Sequence, residues 1–221
     1  MVKRISGLPQ KQQKLDKKTK EKKRKLKEKE QQELDDNQVV IINNIQMPAF
    51  PADKELRTIN LYGDINERVG ADVVAALLYL ENSSHIAMLV STHGGSASDM
   101  FSILDVMDMI KERTCDIETI GIGKVMSAGV PILAAGTPGK RAVGRNCRIM
   151  LHNVMAGTGG TIFSMENELE EIKWVQERYI ETLANYTKLT PSRIKKLLKT
   201  QKDVYISAEE AIKMGIADQI I

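Results

Sequence analysis

The sequence predicts an α/β fold in which parallel strands alternate with helices around one sheet. Segments typical of strands, with alternating or continuous apolar residues, lie at 57–62, 86–90 and 115–122. Between them, apolar residues recur at three- and four-residue intervals at 71–81 and 100–111, as in amphipathic helices. Strands separated by helices of this length form parallel βαβ units, whose functional loops gather at the carboxyl ends of the strands.

Composition limits the class of protein. Of the 221 residues, 42% are hydrophobic and only 4% aromatic, so we expect one domain with an aliphatic core. No apolar run approaches the roughly 20 residues of a membrane-spanning helix. A secretory signal has an apolar segment after its basic start, and no such segment follows the basic N-terminus here. Cys115 and Cys147 lack metal-binding or redox spacing, which favours buried thiols in the cytoplasm.

The positive charge is concentrated at the N-terminus. Residues 1–36 contain 13 Lys/Arg and 7 Asp/Glu, a net charge of +6, whereas the rest of the chain has a net charge of −3. We expect residues 1–46 to form a basic, largely disordered or helical tail and arm, and residues 47–221 to form the folded domain. Two interpretations of the tail are open: it is a solubilising leader, or it contacts an acidic partner. Nucleic-acid binding is not expected, because the tail has no aromatic residue to stack on bases.

The second half of the chain predicts further strands and helices. Short strands are expected at 141–143 and 148–151. A long amphipathic helix is expected at 163–187. Its length leaves two alternatives open, a helix that projects and pairs with another subunit and an ordinary packed helix. Two shorter helices follow, one beginning at Pro191 and one ending at Gly215.

Ser127 lies between a predicted strand and a predicted buried helix at 128–135, in a run of small residues. One interpretation is a nucleophile of acyl transfer, because its hydroxyl would lie near the positive end of the helix and small neighbours would admit a substrate backbone. The other is an ordinary helix N-cap. The spacing of the glycines is not the G-x-S-x-G of the hydrolase nucleophile elbow.

Three histidines are candidates for a general base. His152 ends a predicted strand and faces a glycine-rich segment, as a base would. His93 precedes Gly94-Gly95 at the end of another strand, and His85 lies in a polar turn where we expect it to be exposed.

A catalytic histidine needs a carboxylate or carbonyl group to fix its tautomer. Asp203, just before the last predicted strand, is the first choice, and Asp64 and Asp218 are alternatives. The chain has neither a His/Cys/Asp cluster with metal-ligand spacing nor a phosphate-binding loop. We therefore expect no metal ion at the site.

Five sequence blocks carry a resemblance to a known family. They are similar, in the same order and at close to the same spacing, to blocks of the proteolytic subunit of the Clp protease. The resemblance extends from about residue 57 to residue 221. The blocks are His93-Gly94-Gly95, 123–129, 134–141, 146–152 and 203–211.

The resemblance implies a Ser-His-Asp triad in a serine endopeptidase. Ser127 would be the nucleophile, His152 the general base and Asp203 the acid that orients His152. The oxyanion hole would consist of the backbone N–H groups of Gly95 and Ala128, which stabilise the charge that develops on the attacked carbonyl oxygen.

The resemblance also implies a ClpP/crotonase-like spiral of ββα units, with the helix at 163–187 as a projecting handle. The expected assembly is a homo-oligomer of two stacked heptameric rings that degrades unfolded polypeptides inside its chamber. An AAA+ unfoldase is the expected partner and would use the ATP, so that this chain itself needs no cofactor. The substrate would lie extended between two segments, in contact with Ser96, Ala97, Gly157, Thr158 and Gly159.

Departures from the family pattern keep alternatives open. Thr92-His93 replaces the usual Ser-Pro before Gly94, and Ala87 and Leu89 replace aromatic residues that often receive the unfoldase's hydrophobic loop. A divergent, phage-type member is one interpretation, as a capsid-maturation (prohead) protease in the host cytoplasm. A non-catalytic structural ring subunit and a crotonase-type acyl-CoA enzyme are others, although neither needs an intact triad.

Overall fold

A seven-stranded sheet and six helices organise the residues that the computed structural model describes, which are 57–81, 85–199 and 202–221. The predicted tail and arm at 1–46 lie outside them. The strands are β1 (Thr58–Ile65), β2 (Ile86–Gly95), β3 (Ile117–Met126), β4 (Arg141–Val143), β5 (Arg148–Leu151), β6 (Val204–Ile206) and β7 (Gln219–Ile220). The helices are α1 (Glu67–Leu80), α2 (Ala97–Arg113), α3 (Gly129–Ala134), α4 (Ile162–Tyr186), α5 (Pro191–Leu198) and α6 (Ala208–Met214).

The sheet is parallel, as predicted, except at one pairing. Strands β1, β2, β3, β4 and β7 lie side by side in that order. Strand β3 has two partners along one edge: β4 pairs with residues 119–121 and β5 with residues 124–126. The partner changes around Gly123, whose φ of 64° is a conformation that glycine adopts without strain. Strand β5 then carries β6 as an antiparallel neighbour.

The first three strands are longer than their apolar patterns predicted. Strand β1 continues to Ile65, β2 to Gly95 and β3 to Met126, through segments that lie beyond the predicted strands. Each extension contains a glycine with positive φ, and the register between neighbouring strands shifts there. A bulge of this kind lets backbone pairing continue where side-chain alternation stops. The predicted ends of these three strands were therefore wrong.

Most helix ends follow local sequence signals. The side chains of Asn66 and Ser96 accept hydrogen bonds from backbone N–H groups in the first turns of α1 and α2, so both helices begin a few residues before the predicted positions. Thr190 caps α5, which starts with Pro191. Helix α6 has a capping box and ends at Gly215, whose φ is 73°.

Helix α4 packs against the domain at one end only. Its buried residues are Tyr179, Ile180 and Leu183, all in its C-terminal part. Large apolar side chains nearer its N-terminus are exposed, as shown by Ile162, Phe163, Leu169 and Trp174. Within the described residues, this part of the helix projects, which is one of the two alternatives that the sequence left open.

The cysteines are free and buried, also as predicted. Burial raises the pKa of the Cys147 thiol to about 11, so this thiol is protonated and a poor nucleophile at neutral pH. In the described ranges, none of the helices combines the length and the apolar character needed to cross a bilayer.

A largely buried ion pair attaches the C-terminal segment to the sheet. In Arg141 of β4, Nη2 lies 2.6 Å from Oδ1 of Asp218, and Nε lies 2.8 Å from Oδ2. Nη1 of Arg141 donates to the carbonyl oxygens of Ala134 and Tyr186, at 3.1 and 2.7 Å. The Arg141 guanidinium holds the pKa of Asp218 below its usual value, and the backbone N–H of Gly139 contributes to this effect.

We expect Asp218→Asn to lower the free energy of unfolding by about 3 kcal/mol at neutral pH, because Arg141 keeps a buried charge without its counter-ion. The pKa of Asp218 in the folded state lies below the value of about 3.9 for an unfolded aspartate. The stabilisation is therefore complete above that value and is lost as the pH falls through the folded-state pKa. Urea unfolding at neutral and acidic pH should show that the difference in free energy of unfolding between wild type and variant becomes smaller as the pH falls.

The matched control is Asp116→Asn, because Asp116 forms an ion pair with Lys140 at 2.7 Å in which both side chains are nearly half exposed. Water screens such a pair, so its loss should cost less than the loss of the Asp218 pair. Equal costs would contradict the argument from burial.

Candidate active site

Ser127 occupies the turn between β3 and α3 in a strained conformation. Its φ is 51°, and it is the one non-glycine residue with positive φ in the described ranges. Its N–H donates to the carbonyl oxygen of Met150 at 2.8 Å, and its own carbonyl oxygen accepts from Val130 N–H at 3.0 Å. Strand β5 and the start of α3 therefore hold the turn from two sides.

Helix capping does not explain Ser127. The N-cap of α3 is Ala128, and no side chain caps this helix end. Ser127 instead lines a cavity. Strained backbone of this kind costs about 1–3 kcal/mol and is concentrated at active sites. Of the two alternatives that the sequence left open, the structure does not support the helix cap.

The end of β2 packs directly against the serine turn. A Cβ at Gly94 would lie 2.5 Å from the Cβ of Ser127 and 2.8 Å from the carbonyl oxygen of Met126, so only glycine fits there. The buried Thr92 hydroxyl donates to the carbonyl oxygen of Gly63 at 2.5 Å and accepts from Gly94 N–H at 2.9 Å. The two glycine-rich segments predicted to share one edge of the sheet do so.

Strand register brings His152 to the same edge. Strands β3 and β5 are parallel, with Met126 opposite Met150, so the residues that follow the two strands leave the sheet together. Ser127 and His152 both line one cavity of about 260 Å³. His93 lines it as well, whereas His85 is exposed elsewhere, as predicted.

A backbone carbonyl orients the His152 ring. Nδ1 of His152 lies 2.5 Å from the carbonyl oxygen of Asn153. Because a carbonyl oxygen can only accept, this contact requires a proton on Nδ1. In the neutral ring, Nε2 then has the free lone pair that a general base needs. The Asn153 side chain donates to the carbonyl oxygen of Leu198 at 2.9 Å, which ties this segment to the end of α5.

The three candidate aspartates have different surroundings. Asp203 is exposed, and among the described residues it makes no hydrogen bond or ion pair with His152. Asp218 belongs to the structural ion pair of β4, and Oδ1 of Asp64 lies 4.0 Å from Nδ1 of His93. The predicted contact between Asp203 and His152 is therefore not made in this conformation, in which a carbonyl oxygen takes its place.

The two backbone N–H groups predicted for the oxyanion hole belong to residues that line the cavity. Ala128 follows Ser127, and its N–H donates no hydrogen bond to any described residue outside the regular elements. Gly95 ends β2, and a Cβ there would collide with the carbonyl oxygen of Ile65. The Ala128 N–H, left unpaired in this way, can stabilise negative charge on a substrate oxygen.

The predicted substrate-binding residues divide into two groups. Ser96 and Ala97, at the start of α2, line the cavity. Gly157, Thr158 and Gly159 lie in an exposed, irregular segment between β5 and α4 and are not among its lining residues. Only the first part of that segment, up to Met155, lines the cavity.

Sequence reasoning missed the apolar wall of the cavity, which Met100, Val154, Met155 and Tyr179 supply. The buried Tyr179 hydroxyl also donates to the carbonyl oxygen of Ser127 at 3.4 Å. Helical periodicity places Tyr179 on the same side of α4 as Leu183, which is its buried side. It does not show which inward-facing residues end at a cavity.

The strained Ser127, His152 and the Ala128 N–H, which has no hydrogen-bond partner among the described residues outside the regular elements, thus lie around one cavity. The sequence model described as Clp protease matches residues 52–221, and the chain belongs to that family. It is therefore a hydrolase, a serine endopeptidase of the ClpP type, with the α/β fold that the resemblance implied.

Curated relatives cover most of the chain. It is 33% identical over 170 residues to the ATP-dependent Clp protease proteolytic subunit 2 of Corynebacterium jeikeium. It is 34% identical over 170 residues to subunit 1 of Corynebacterium glutamicum. Both alignments cover 75% of this chain and 79% of the relative.

We expect Gly94→Ala to lower peptidase activity by about 100-fold or more, because the new methyl group displaces Ser127 from its place at the cavity that it shares with His152. Gly63→Ala is the matched control. Gly63 also has positive φ, 81°, but a Cβ there would meet nothing within 4 Å. It should cost stability through backbone strain while keeping most of the activity. Peptide hydrolysis and thermal unfolding of both variants check this, and equal losses of activity would contradict it.

Proposed function

We propose that this chain hydrolyses peptide bonds of unfolded polypeptides, with Ser127 as the nucleophile and His152 as the general base. The left-handed backbone of Ser127, at the edge of a cavity shared with His152, carries the proposal. A side chain held in this conformation by three neighbouring elements is aimed before the substrate arrives, which is what nucleophilic catalysis requires.

The proposed reaction has two halves. Ser127 Oγ attacks the substrate carbonyl carbon while Nε2 of His152 takes the hydroxyl proton. The N–H groups of Ala128 and Gly95 hold the resulting oxyanion. His152 then returns the proton to the leaving amine as the peptide C–N bond breaks. Water attacks the acyl-enzyme in the same way and releases the new carboxyl end, so that Ser127 is regenerated.

Asp203 is our candidate for orienting His152, and the strand register supports this role. Strands β5 and β6 pair antiparallel with Leu151 opposite Val204. One further step along this ladder brings His152 opposite Asp203. Opposed residues in such a ladder have Cβ atoms about 4.5–5.5 Å apart, which lets a carboxylate reach Nδ1 in place of the carbonyl oxygen.

The substrate is proposed to bind as an extended strand between Ser96-Ala97 and the segment at 157–159. Strand addition reads the backbone, so a broad range of sequences is accepted. The apolar wall of Met100, Val154 and Tyr179 favours an apolar side chain beside the scissile bond.

The proposed assembly follows the family. Family membership supports oligomeric rings and partnership with Clp ATPases. We propose two stacked heptameric rings in the cytoplasm, with the exposed apolar face of α4 covered between rings and with an AAA+ unfoldase as partner. The relatives are named ATP-dependent. We assign ATP use to the unfoldase and no cofactor to this chain.

A fluorescent fluorophosphonate probe should label the wild type and leave Ser127→Ala unlabelled, because the probe reacts with an activated serine hydroxyl. Native mass spectrometry of both proteins should show the same high oligomer. Labelling of Ser127→Ala would reject the nucleophile assignment. An intact wild-type oligomer that resists the probe would favour a non-catalytic ring subunit.

His152→Ala should lower kcat by roughly a thousandfold or more, as expected for a general base. His93→Ala is the matched control, because His93 also lines the cavity but has no assigned role in proton transfer. It should keep most of the activity and the pH profile of the wild type. Steady-state peptide hydrolysis checks both variants, and the reverse order of effects would assign the base to His93.

A further inference from the structure

Tyr179 joins α4 to the serine turn through one hydrogen bond. Its hydroxyl donates to the carbonyl oxygen of Ser127 at 3.4 Å, and the residue is 4% exposed. Burial raises the pKa of Tyr179, so the hydroxyl stays protonated and can donate throughout the neutral range. Hydrophobic packing at this position needs only an aromatic ring. The hydroxyl and its hydrogen bond therefore need a separate explanation.

The carbonyl that Tyr179 contacts belongs to the peptide unit joining Ser127 to Ala128. In a trans peptide the C=O and the N–H of one planar unit point in opposite directions, and no cis peptide occurs in the described ranges. Any group that fixes the Ser127 carbonyl therefore also fixes the direction of the Ala128 N–H.

Both acceptor positions of this carbonyl oxygen are occupied. Val130 N–H donates to it at 3.0 Å and Tyr179 at 3.4 Å. The Ala128 N–H on the other side of the unit has no such partner among the described residues outside the regular elements, and Ala128 lines the cavity. Rotation of the unit would break both bonds and turn the Ala128 N–H away from the position where an oxyanion forms.

We propose that Tyr179 is a positioning residue for the oxyanion hole: by holding the Ser127 carbonyl, its hydroxyl aims the Ala128 N–H into the cavity. The proposal rests on the proposed function of Ser127 as nucleophile. It makes the C-terminal part of α4 a structural support of the catalytic turn.

The test is Tyr179→Phe, which removes the hydroxyl and keeps the ring. Because an oxyanion forms only as the reaction proceeds, kcat for a fluorogenic peptide should fall about fivefold while KM stays within about twofold. A peptide boronic acid, whose tetrahedral adduct with Ser127 places an oxygen in the hole, should bind more weakly by the same factor as the fall in kcat.

Tyr205→Phe is the matched control, because Tyr205 is about half exposed and lies in β6, with its ring against Arg148. It should match the wild type in kcat, KM and boronate affinity. Native mass spectrometry and thermal unfolding should show that Tyr179→Phe assembles and folds, so that the change in kcat is not a loss of folded enzyme.

Each other outcome overturns the proposal. A raised KM with unchanged kcat would mean that the hydroxyl contacts substrate. Unchanged kinetics would mean that Val130 alone holds the carbonyl. A fall in kcat without weaker boronate binding would place the defect outside the oxyanion hole. A wild type that neither cleaves peptide nor reacts with fluorophosphonate would reject the proposed function, and with it this role of Tyr179. If the wild type is active, the kinetics of Tyr179→Phe test the role of the hydroxyl alone.

Discussion

Strand β3 pairs with two different strands along one edge, and the arrangement of the site depends on that exchange. Residues 119–121 pair with β4 and residues 124–126 with β5, with the bend at Gly123 between them. Had β4 continued along the whole edge, β5 would have no partner there. Because β5 pairs only with the last residues of β3, the end of β5 lies beside the residue that follows β3. Ser127 and His152 line the same cavity for this reason.

The serine turn is held mainly by groups from other parts of the chain. Ser127 N–H binds the β5 carbonyl of Met150, and its carbonyl receives N–H and O–H donors from α3 and α4. Gly94 of β2 leaves no space for the turn to relax. The strain at Ser127 is therefore offset by packing and hydrogen bonds that exist only in the complete fold. Geometry at the site and stability of the domain are linked through these contacts.

The sequence was most informative where side chains carry the signal. Strands 141–143 and 148–151 and the long helix were predicted almost to the residue, because apolar periodicity marks them clearly. The motif blocks led to Ser127 and His152, which share the cavity. Prediction failed at strand ends, where glycines continue the pairing through the backbone. It also missed the Asn153 carbonyl at Nδ1, because a backbone contact leaves no pattern in the sequence.

The same dependence on distant segments has a consequence during synthesis of the chain. The turn needs β2, β3 and β5 in register and then the C-terminal part of α4, which the ribosome delivers later. Contacts of such high sequence separation form late in folding, because loop closure must precede them. A nascent chain therefore contains Ser127 before the contacts that shape the serine turn can form.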